Sequence, residues 1–194
     1  MGSLTQLQES VIIGSLLGDG YIRRVPGRCD ALMEFNHSFK QREYVDWKFE
    51  KLKNLVRSKP KARKGRGNRI AYRFSTKQLP ELTQLMNIFY KNGKKIVPSN
   101  IKLDSIILAV WFMDDGSRCS DSDFYLNTQQ FSIKNQLKLL DLLLKIGIEG
   151  RLNKDKEYFR IRFLLSSIPR FKMIVTDYVI PSMSYKLGYD PVET

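Results

Sequence analysis

Two apolar runs in the chain end in the same Asp-Gly pair, and they show how the rest of the chain is organised. The first run is Ile12-Ile13-Gly14-Ser15-Leu16-Leu17-Gly18-Asp19-Gly20. It aligns without gaps on Leu108-Ala109-Val110-Trp111-Phe112-Met113-Asp114-Asp115-Gly116, 96 residues later. Polar residues that suit a helix N-terminus precede both runs: Ser3 or Thr5, and Asp104 or Ser105. Each run therefore predicts a helix that ends at its aspartate.

The same order of predicted elements follows each Asp-Gly pair. Short strands come first, then a helix, then a strand that alternates apolar and polar residues, then a last helix with a proline near its start. In the first copy these elements are predicted at 21–25, 32–39, 41–56 and 69–76, and from Pro80 to near Val97-Pro98. In the second copy they are predicted at 124–131, 132–145 and 158–165, and from Pro169 to near Ile180-Pro181.

This repetition predicts an α+β fold with two pseudo-symmetric αββαββα halves, each containing an antiparallel sheet. Residues 1–98 would form the first half, residues 99–104 the linker and residues 105–194 the second half. The alternation at 69–76 and 158–165 gives each sheet an apolar face and a face that carries arginines. A sheet with such an open face can enter a DNA major groove, although exposed strand faces are commonly polar and one arginine proves little.

The charge of the chain strengthens the case for a polyanionic partner. The chain has 33 Lys and Arg against 20 Asp and Glu, which leaves a net charge of +13. Eleven of these cations and no acid lie between Lys51 and Pro80. We expect this segment to bind phosphate, with residues 59–68 as a mobile basic loop that becomes ordered on DNA.

Other classes of protein fit the composition less well. The chain has no apolar stretch near the roughly 20 residues that a membrane span needs, and we expect an intracellular protein without a membrane partner. Cys29 and Cys119 are isolated, so disulfide and zinc chemistry are not expected and both thiols are predicted to be buried.

The two aspartates point to a metal site. A helix C-terminus carries a partial negative charge and is a poor place for a carboxylate. Two carboxylates brought together by pseudo-symmetry also need a countercharge. Oxygen ligands favour Mg²⁺, with Mn²⁺ as a substitute, and such an ion can promote phosphodiester hydrolysis. A single Asp-Gly dipeptide could be an ordinary surface turn. Two of them, separated by the same offset as the runs that precede them, are a much more specific signal of a shared site.

The two runs resemble the paired motifs of LAGLIDADG homing endonucleases, and the resemblance covers nearly the whole chain. It looks strongest to the single-chain, two-motif, intron-encoded enzymes of the yeast mitochondrial omega type. The segments that carry it are Trp111 to Gly116, Leu126 to Gln129, Lys94 to Pro98 and Ile180 to Leu187. The resemblance implies a monomer whose motif helices pack at its centre, and which cuts both strands of a long double-stranded DNA target. It also implies an origin in an organelle, either mitochondrion or chloroplast.

The resemblance assigns roles to particular residues. Asp19 and Asp115 would bind metal together with the backbone carbonyls of Gly18 and Asp114. Lys95 and Lys186 would flank the metal as catalytic residues, with Lys94 as the alternative to Lys95. Asn36 and Asn127 on the strands could order water, although strand asparagines often serve turns. The DNA-binding candidates, taken from the strand faces and the basic segment, are Arg23, Arg28, Lys59, Lys61, Arg63, Lys64, Arg66, Arg69, Arg73, Gln129, Arg160 and Arg162.

Two other functions remain open at this point. An intron RNA-splicing maturase would show the same charge pattern, because basic surfaces do not separate RNA from DNA. A catalytically idle DNA-binding protein on the same fold would bind tightly without a metal-dependent cut. The intact aspartates and lysines favour the nuclease.

Overall fold

The computed structural model describes residues 4–65 and 67–189, and it confirms the αββαββα order in both halves. Arg66, a predicted DNA contact, lies outside the described residues. The elements of the first half are α1 Gln6–Leu17, β1 Tyr21–Arg24, β2 Ala31–Ser38, α2 Arg42–Leu52, β3 Lys61–Lys64, β4 Ile70–Ser75, α3 Pro80–Phe89, β5 Tyr90–Lys91 and β6 Lys94–Lys95. Those of the second half are α4 Ser105–Asp115, β7 Gly116–Ser120, β8 Asp123–Leu126, α5 Ile133–Leu144, β9 Gly150–Asp155, β10 Tyr158–Phe163 and α6 Ile168–Val175.

The helices α1 and α4 pack against each other and form the centre of the core. Thr5 caps α1 in a reciprocal capping box with Gln8, and the Asp104 side chain accepts the main-chain N–H of Ile107 at the start of α4. Both helices are buried over most of their length, which is why their sequences show little amphipathic periodicity.

The helix pair comes close together because glycines of α1 face larger residues of α4. A Cβ atom on Gly14 would lie 2.7 Å from the carbonyl oxygen of Ile107 and 2.8 Å from Cβ of Val110. A Cβ atom on Gly18 would lie 2.7 Å from Oδ2 of Asp114. The small residues are therefore required on one helix only, and the contact surface departs from strict two-fold symmetry.

Each half contributes a four-stranded antiparallel sheet, and the two sheets have equivalent strand orders, β1-β2-β4-β3 and β7-β8-β10-β9. One face of each sheet packs on the helices: Phe74 packs on Phe49 of α2 in the first, and Phe163 packs on Phe171 of α6 in the second. The other face is open. Ile70, on the apolar face that the alternation at 69–76 predicts, is an exception: it is 44% exposed because it begins β4 beyond the cover of the helices.

The last helix of the first half is shorter than predicted, so Lys95 lies on a short strand and not on the helix. α3 ends at Phe89, and a two-residue turn then joins β5 to β6. Asn92 and Gly93 both have positive φ angles, 51° and 72°, as a type I′ turn requires. The Asn-Gly pair was the local sequence feature that could have predicted this hairpin.

In the second half, one strand and one helix are shorter than predicted. The strand predicted at 124–131 ends at Leu126, because the chain then turns and the buried side-chain amide of Gln136 donates to the carbonyls of Thr128 and Phe131. The helix predicted to reach Ile180 ends at Val175 and continues as short 3-10 turns, the last of which spans Pro181–Leu187.

Two further expectations were wrong. The segment predicted as a mobile loop contains a strand, β3, which pairs with β4 from Lys61 to Lys64. Cys29 and Cys119 are exposed rather than buried, because both lie at or near the ends of sheet hairpins. Across residues 4–65 and 67–189, no helix combines the length and apolar character that crossing a bilayer demands.

Candidate active site

The two motif aspartates lie together where α1 and α4 end. Asp115 is the last residue of α4, and Asp19 follows the cap residue Gly18 of α1. One side-chain amide bridges the two helix ends: Nε2 of Gln130 donates to Oδ2 of Asp115 over 3.1 Å and to the carbonyl oxygen of Gly18 over 3.3 Å. The structure therefore brings both aspartates into one site, to which Gln130, absent from the sequence predictions, also belongs.

The surroundings of the two aspartates disfavour two ionised carboxylates. Partial burial raises the pKa of Asp19, and repulsion from Asp114 adds to the shift. Burial raises the pKa of Asp115 to about 8, helped by the negative charge of Asp19. Lys95 and Lys186 oppose these shifts without cancelling them. In the protein alone, both carboxyl groups therefore hold protons more tightly than usual.

A lysine from each half contacts the C-terminal carbonyls of the motif helix in the same half. Lys95 Nζ donates to the carbonyl oxygen of Gly18 over 2.6 Å. Lys186 Nζ donates to the carbonyl oxygens of Met113 and Asp114 over 2.6 Å and 3.1 Å. Lys94 is exposed, so Lys95 is the member of its pair that faces the site. Burial lowers the pKa of Lys95 to about 8 and also lowers the pKa of Lys186.

The donor atoms at the helix ends fit a hard divalent cation. The two carboxylates and the carbonyl oxygens of Gly18 and Asp114 offer oxygen ligands only, which suits Mg²⁺, Mn²⁺ or Ca²⁺ better than zinc. Within the described residues, no group of three or more His, Cys, Asp and Glu side chains has a metal-binding arrangement. A cation would therefore depend on the two aspartates and main-chain oxygens.

A buried polar cluster beneath the aspartates was not predicted. The Asp114 carboxylate is fully buried and accepts a 2.7 Å hydrogen bond from the equally buried Lys48 of α2. Burial alone would raise the pKa of Asp114, but the Lys48 ammonium holds it below its ordinary value. His37 of β2 lies beside both, with Nε2 3.3 Å from Lys48 Nζ. Tyr44 donates to the carbonyl oxygen of Val110 over 3.1 Å.

The surroundings of His37 favour its neutral form. Burial lowers its pKa to about 4, and the positive charge of Lys48 acts in the same direction. Nothing in the local sequence marks residues 37, 48 and 114 as neighbours, because α2 and β2 belong to one half and α4 to the other.

Most of the predicted DNA contacts lie on the first sheet or in its loops, and several are on its open face. Strand pairing places Lys61 beside Arg73 and Arg73 beside Asn36, so all three side chains share this face. Arg23 is also on it and is bound by Glu34 through two hydrogen bonds of 3.0 Å and 2.8 Å. The remaining predicted residues lie exposed on this sheet or its loops: Arg28, Lys59, Arg63 and Arg69, with Lys64 on β3 but alternating to the opposite face.

The predicted contacts on the second sheet are already engaged with protein partners. The Arg160 guanidinium stacks over the Tyr125 ring at 4.0 Å, and Arg162 pairs with Asp123. Gln129 donates to Asp155 over 2.8 Å. Pairing also places Arg151, which was not predicted, on the same face as Arg162.

The two asparagines predicted to order water differ in their surroundings. Asn36 is exposed on the open face of the first sheet. Asn127 is hydrogen-bonded to a site residue: its main-chain N–H donates to the Asp115 carbonyl oxygen over 2.9 Å. Its side chain donates to Ser117 over 3.3 Å. Asn127 Oδ1 also accepts a 3.4 Å hydrogen bond from Arg160.

The paired helices, the two sheets and the convergent aspartates are the arrangement expected of a LAGLIDADG endonuclease. Comparison with known proteins supports this class. The family model of the LAGLIDADG DNA endonuclease family matches residues 9–171. The chain belongs to this family, which confirms the resemblance found in the sequence.

Individual relatives extend the comparison over nearly the whole chain. Probable intron-encoded endonuclease 1 of Wickerhamomyces canadensis is 29% identical over 203 residues, covering 97% of this chain and 87% of that protein. Cytochrome b mRNA maturase bI2 of Debaryomyces hansenii is 28% identical over 196 residues, covering 92% of this chain and 72% of that protein.

Solved structures match the fold. The homing endonuclease I-WcaI bound to its DNA recognition sequence superposes with a TM-score of 0.88 at 28% identity, covering 98% of this chain and 89% of that one. I-DmoI in complex with DNA and Mn shares the fold at 14% identity, with a TM-score of 0.56, covering 87% of this chain and 96% of that one. These similarities confirm the α+β fold of two halves.

Proposed function

We propose that the protein is a site-specific homing endonuclease that cuts both strands of a long DNA target by Mg²⁺-dependent hydrolysis. The observation that carries the proposal is the convergence of Asp19 and Asp115 at the ends of α1 and α4, with a lysine beside each helix end. Family membership and the DNA-bound relative I-WcaI support it. Mn²⁺ is expected to substitute for Mg²⁺, because both accept oxygen ligands.

The residues of the site would divide the chemistry as follows. Asp19 and Asp115, with the carbonyls of Gly18 and Asp114, would hold the cation, which when bound supplies positive charge for the phosphodiester transition state and acidifies water. Lys95 and Lys186 donate to those carbonyls in the protein alone, and with DNA bound they are placed to neutralise the phosphate. Since the pKa of Lys95 lies near 8, it can also exchange a proton near neutral pH.

The open faces of the two sheets would bind the DNA, one half-site for each half of a monomer. The first half would span residues 1–98 and the second residues 105–194, joined by residues 99–104. Asn36 and Asn127 would order water at the site. The residues that we assign to DNA contacts are Arg23, Arg28, Lys59, Lys61, Arg63, Arg69, Arg73, Gln129, Arg160 and Arg162, with Arg66 assigned from the sequence alone. Lys64 is not among them, because it lies on the opposite face of β3.

The test begins with selection of cleaved sites from a randomised duplex library in the presence of Mg²⁺. On a selected target, Asp19→Asn and Asp115→Asn should abolish cleavage while leaving DNA affinity in metal-free buffer unchanged. Asn keeps the shape of the side chain and removes the charge that a cation needs. The matched control is Asp141→Asn, which alters an exposed carboxylate on α5 and should cleave like the parent protein. Unchanged cleavage by both active-site variants would disprove the mechanism.

A second candidate function is that of an intron RNA-splicing maturase, which the similarity to maturase bI2 of Debaryomyces hansenii favours. It predicts that a structured intron RNA binds at least as tightly as the selected duplex at the same salt concentration. Tight duplex binding without any metal-dependent cut would instead identify a catalytically idle DNA-binding protein. The names of the relatives, intron-encoded endonuclease and cytochrome b mRNA maturase, also support our proposal that the gene resides in an organellar intron.

A further inference from the structure

The buried polar cluster lies directly beneath one of the two aspartates. The Lys48 ammonium lies between its neighbours, 2.7 Å from Asp114 Oδ1, 3.3 Å from His37 Nε2 and 4.4 Å from the centre of the Tyr44 ring. The Lys48 and Asp114 side chains have no exposed surface. A buried ion pair is a weak source of stability, since an apolar pair of similar volume often stabilises a core as well. Its presence between the halves therefore needs another reason.

Two contacts connect the cluster to Asp19. Asp114 Oδ2 accepts the main-chain N–H of Asp19 over 3.3 Å, which fixes the backbone where α1 ends. His37 Nδ1 lies 3.7 Å from Asp19 Oδ2. The Lys48 ammonium can only donate, so Nε2 of His37 must accept and the ring's N–H is at Nδ1, on the side of the Asp19 carboxylate.

The support around Asp115 is different. The residue that corresponds to Asp114 in the first half is Gly18, which has no side chain to hold the opposite helix end. The Asp115 carboxylate instead accepts a hydrogen bond from Gln130 at the exposed side of the site. The two aspartates therefore have different neighbours, and of the two only Asp19 contacts the buried cluster through Asp114 and His37.

We propose that Asp114, held by Lys48 and His37, is a positioning residue for Asp19 and thereby governs the cleavage of one DNA strand more than the other. The inference rests on the proposed nuclease function. Lys48 orients both Asp114 and His37, and these two orient the main chain and the carboxylate of Asp19. The cluster is covered by protein, so it would act on the rate of cleavage and not on the contacts with DNA.

The experiment compares Lys48→Met, Asp114→Asn and the double variant in single-turnover cleavage of a selected duplex with a separate label on each strand. Lys95→Met serves as the reference, because Lys95 contacts the end of α1 and its loss identifies the strand that this end serves. Cleavage of that strand should slow by about 100-fold, as expected when a reacting group is misplaced by about 1 Å, and the other strand by much less. Nicked duplex should accumulate. The double variant should be no slower than the slower single variant, because residues that act as a unit are not additive.

Controls separate positioning from folding. Lys134→Met and Asp141→Asn make the same chemical changes on the exposed face of α5, and both strands should be cut at the parent rate. If the Lys48 variants do not fold, His37→Gln and His37→Leu decide: glutamine keeps a polar donor and should slow the Asp19 strand less than leucine does. Equal slowing of both strands, or parent rates with only a lower unfolding temperature, would overturn the inference. A parent protein that cuts no duplex would refute the nuclease function itself.

Discussion

Metal binding at the paired aspartates should depend steeply on pH. In the protein alone, burial and the neighbouring Asp19 raise the pKa of Asp115 to about 8. At pH 7 the carboxyl would then be about 90% protonated, and a cation must displace that proton to bind. We therefore expect the binding of one Mg²⁺ at pH 7 to release about 0.9 protons, and the apparent affinity to rise about tenfold between pH 6 and pH 7.

The same shift sets the pH dependence of stability. The pKa of Asp115 is raised on folding above its ordinary value of 3.8, so the unfolded chain loses this proton first as the pH increases. This group therefore lowers the stability of the metal-free protein progressively between about pH 4 and pH 8. A bound cation removes the penalty, so stripping the metal with a chelator should destabilise the protein more at pH 8 than at pH 6.

Thermal unfolding measured over a range of MgCl₂ concentrations at pH 6, 7 and 8 gives the apparent affinity at each pH, because a ligand that binds only the folded state raises the unfolding temperature. Calorimetry in two buffers with different ionisation enthalpies counts the released protons. The Asp115→Asn variant should lose most of the pH dependence and of the proton release, and the remainder belongs to Asp19. An affinity that does not change between pH 6 and 8, or a pH dependence that is undiminished in Asp115→Asn, would refute the reasoning.

Three other predictions follow from individual contacts. Gly14→Ala should destabilise the protein by about 1 to 3 kcal/mol despite alanine's better helix propensity, because its Cβ would meet the Ile107 carbonyl. Urea unfolding measures the change in stability, and an increase would contradict the close contact. Arg63→Ala should weaken binding to any duplex and lower the slope of log affinity against log salt by about 1; an unchanged slope would remove Arg63 from the DNA face. Tyr44→Phe should cost about 1 kcal/mol of stability through the lost hydrogen bond to Val110, with the DNA affinity unchanged as its control.

Features that depend on local pattern could be predicted from the sequence. The motif helices, their caps at Thr5 and Asp104, and the αββαββα order all follow from runs, periods and capping residues that lie close together in the chain. The position of Asp19 and Asp115 at neighbouring helix ends followed from the repeat. The Asn92-Gly93 hairpin is an equally local feature, but the apolar pattern of α3 continues toward Pro98 and predicts a longer helix in its place.

Features that depend on contacts between the halves could not be predicted. Lys48 looks like an ordinary solvated residue of an amphipathic helix, yet it is fully buried because the Asp114 carboxylate from the other half neutralises it. Gln130 lies outside the predicted motifs and reaches the site only because the chain turns after Leu126. The partners that bind Arg23 and Gln129 in the protein alone, Glu34 and Asp155, likewise become neighbours only through strand pairing or the turns that follow it.

The unequal contact between α1 and α4 restricts how such a chain can be divided or recombined. Two copies of the first half would bring Gly14 and Gly18 to face glycine, leaving a gap where Val110 and Asp114 now fit. Two copies of the second half would force valine against valine and carboxylate against carboxylate. The contact surfaces of α1 and α4 are therefore complementary to each other and not to themselves. A chimaera that exchanges one half for its counterpart in a relative must therefore keep matching residues on both α1 and α4.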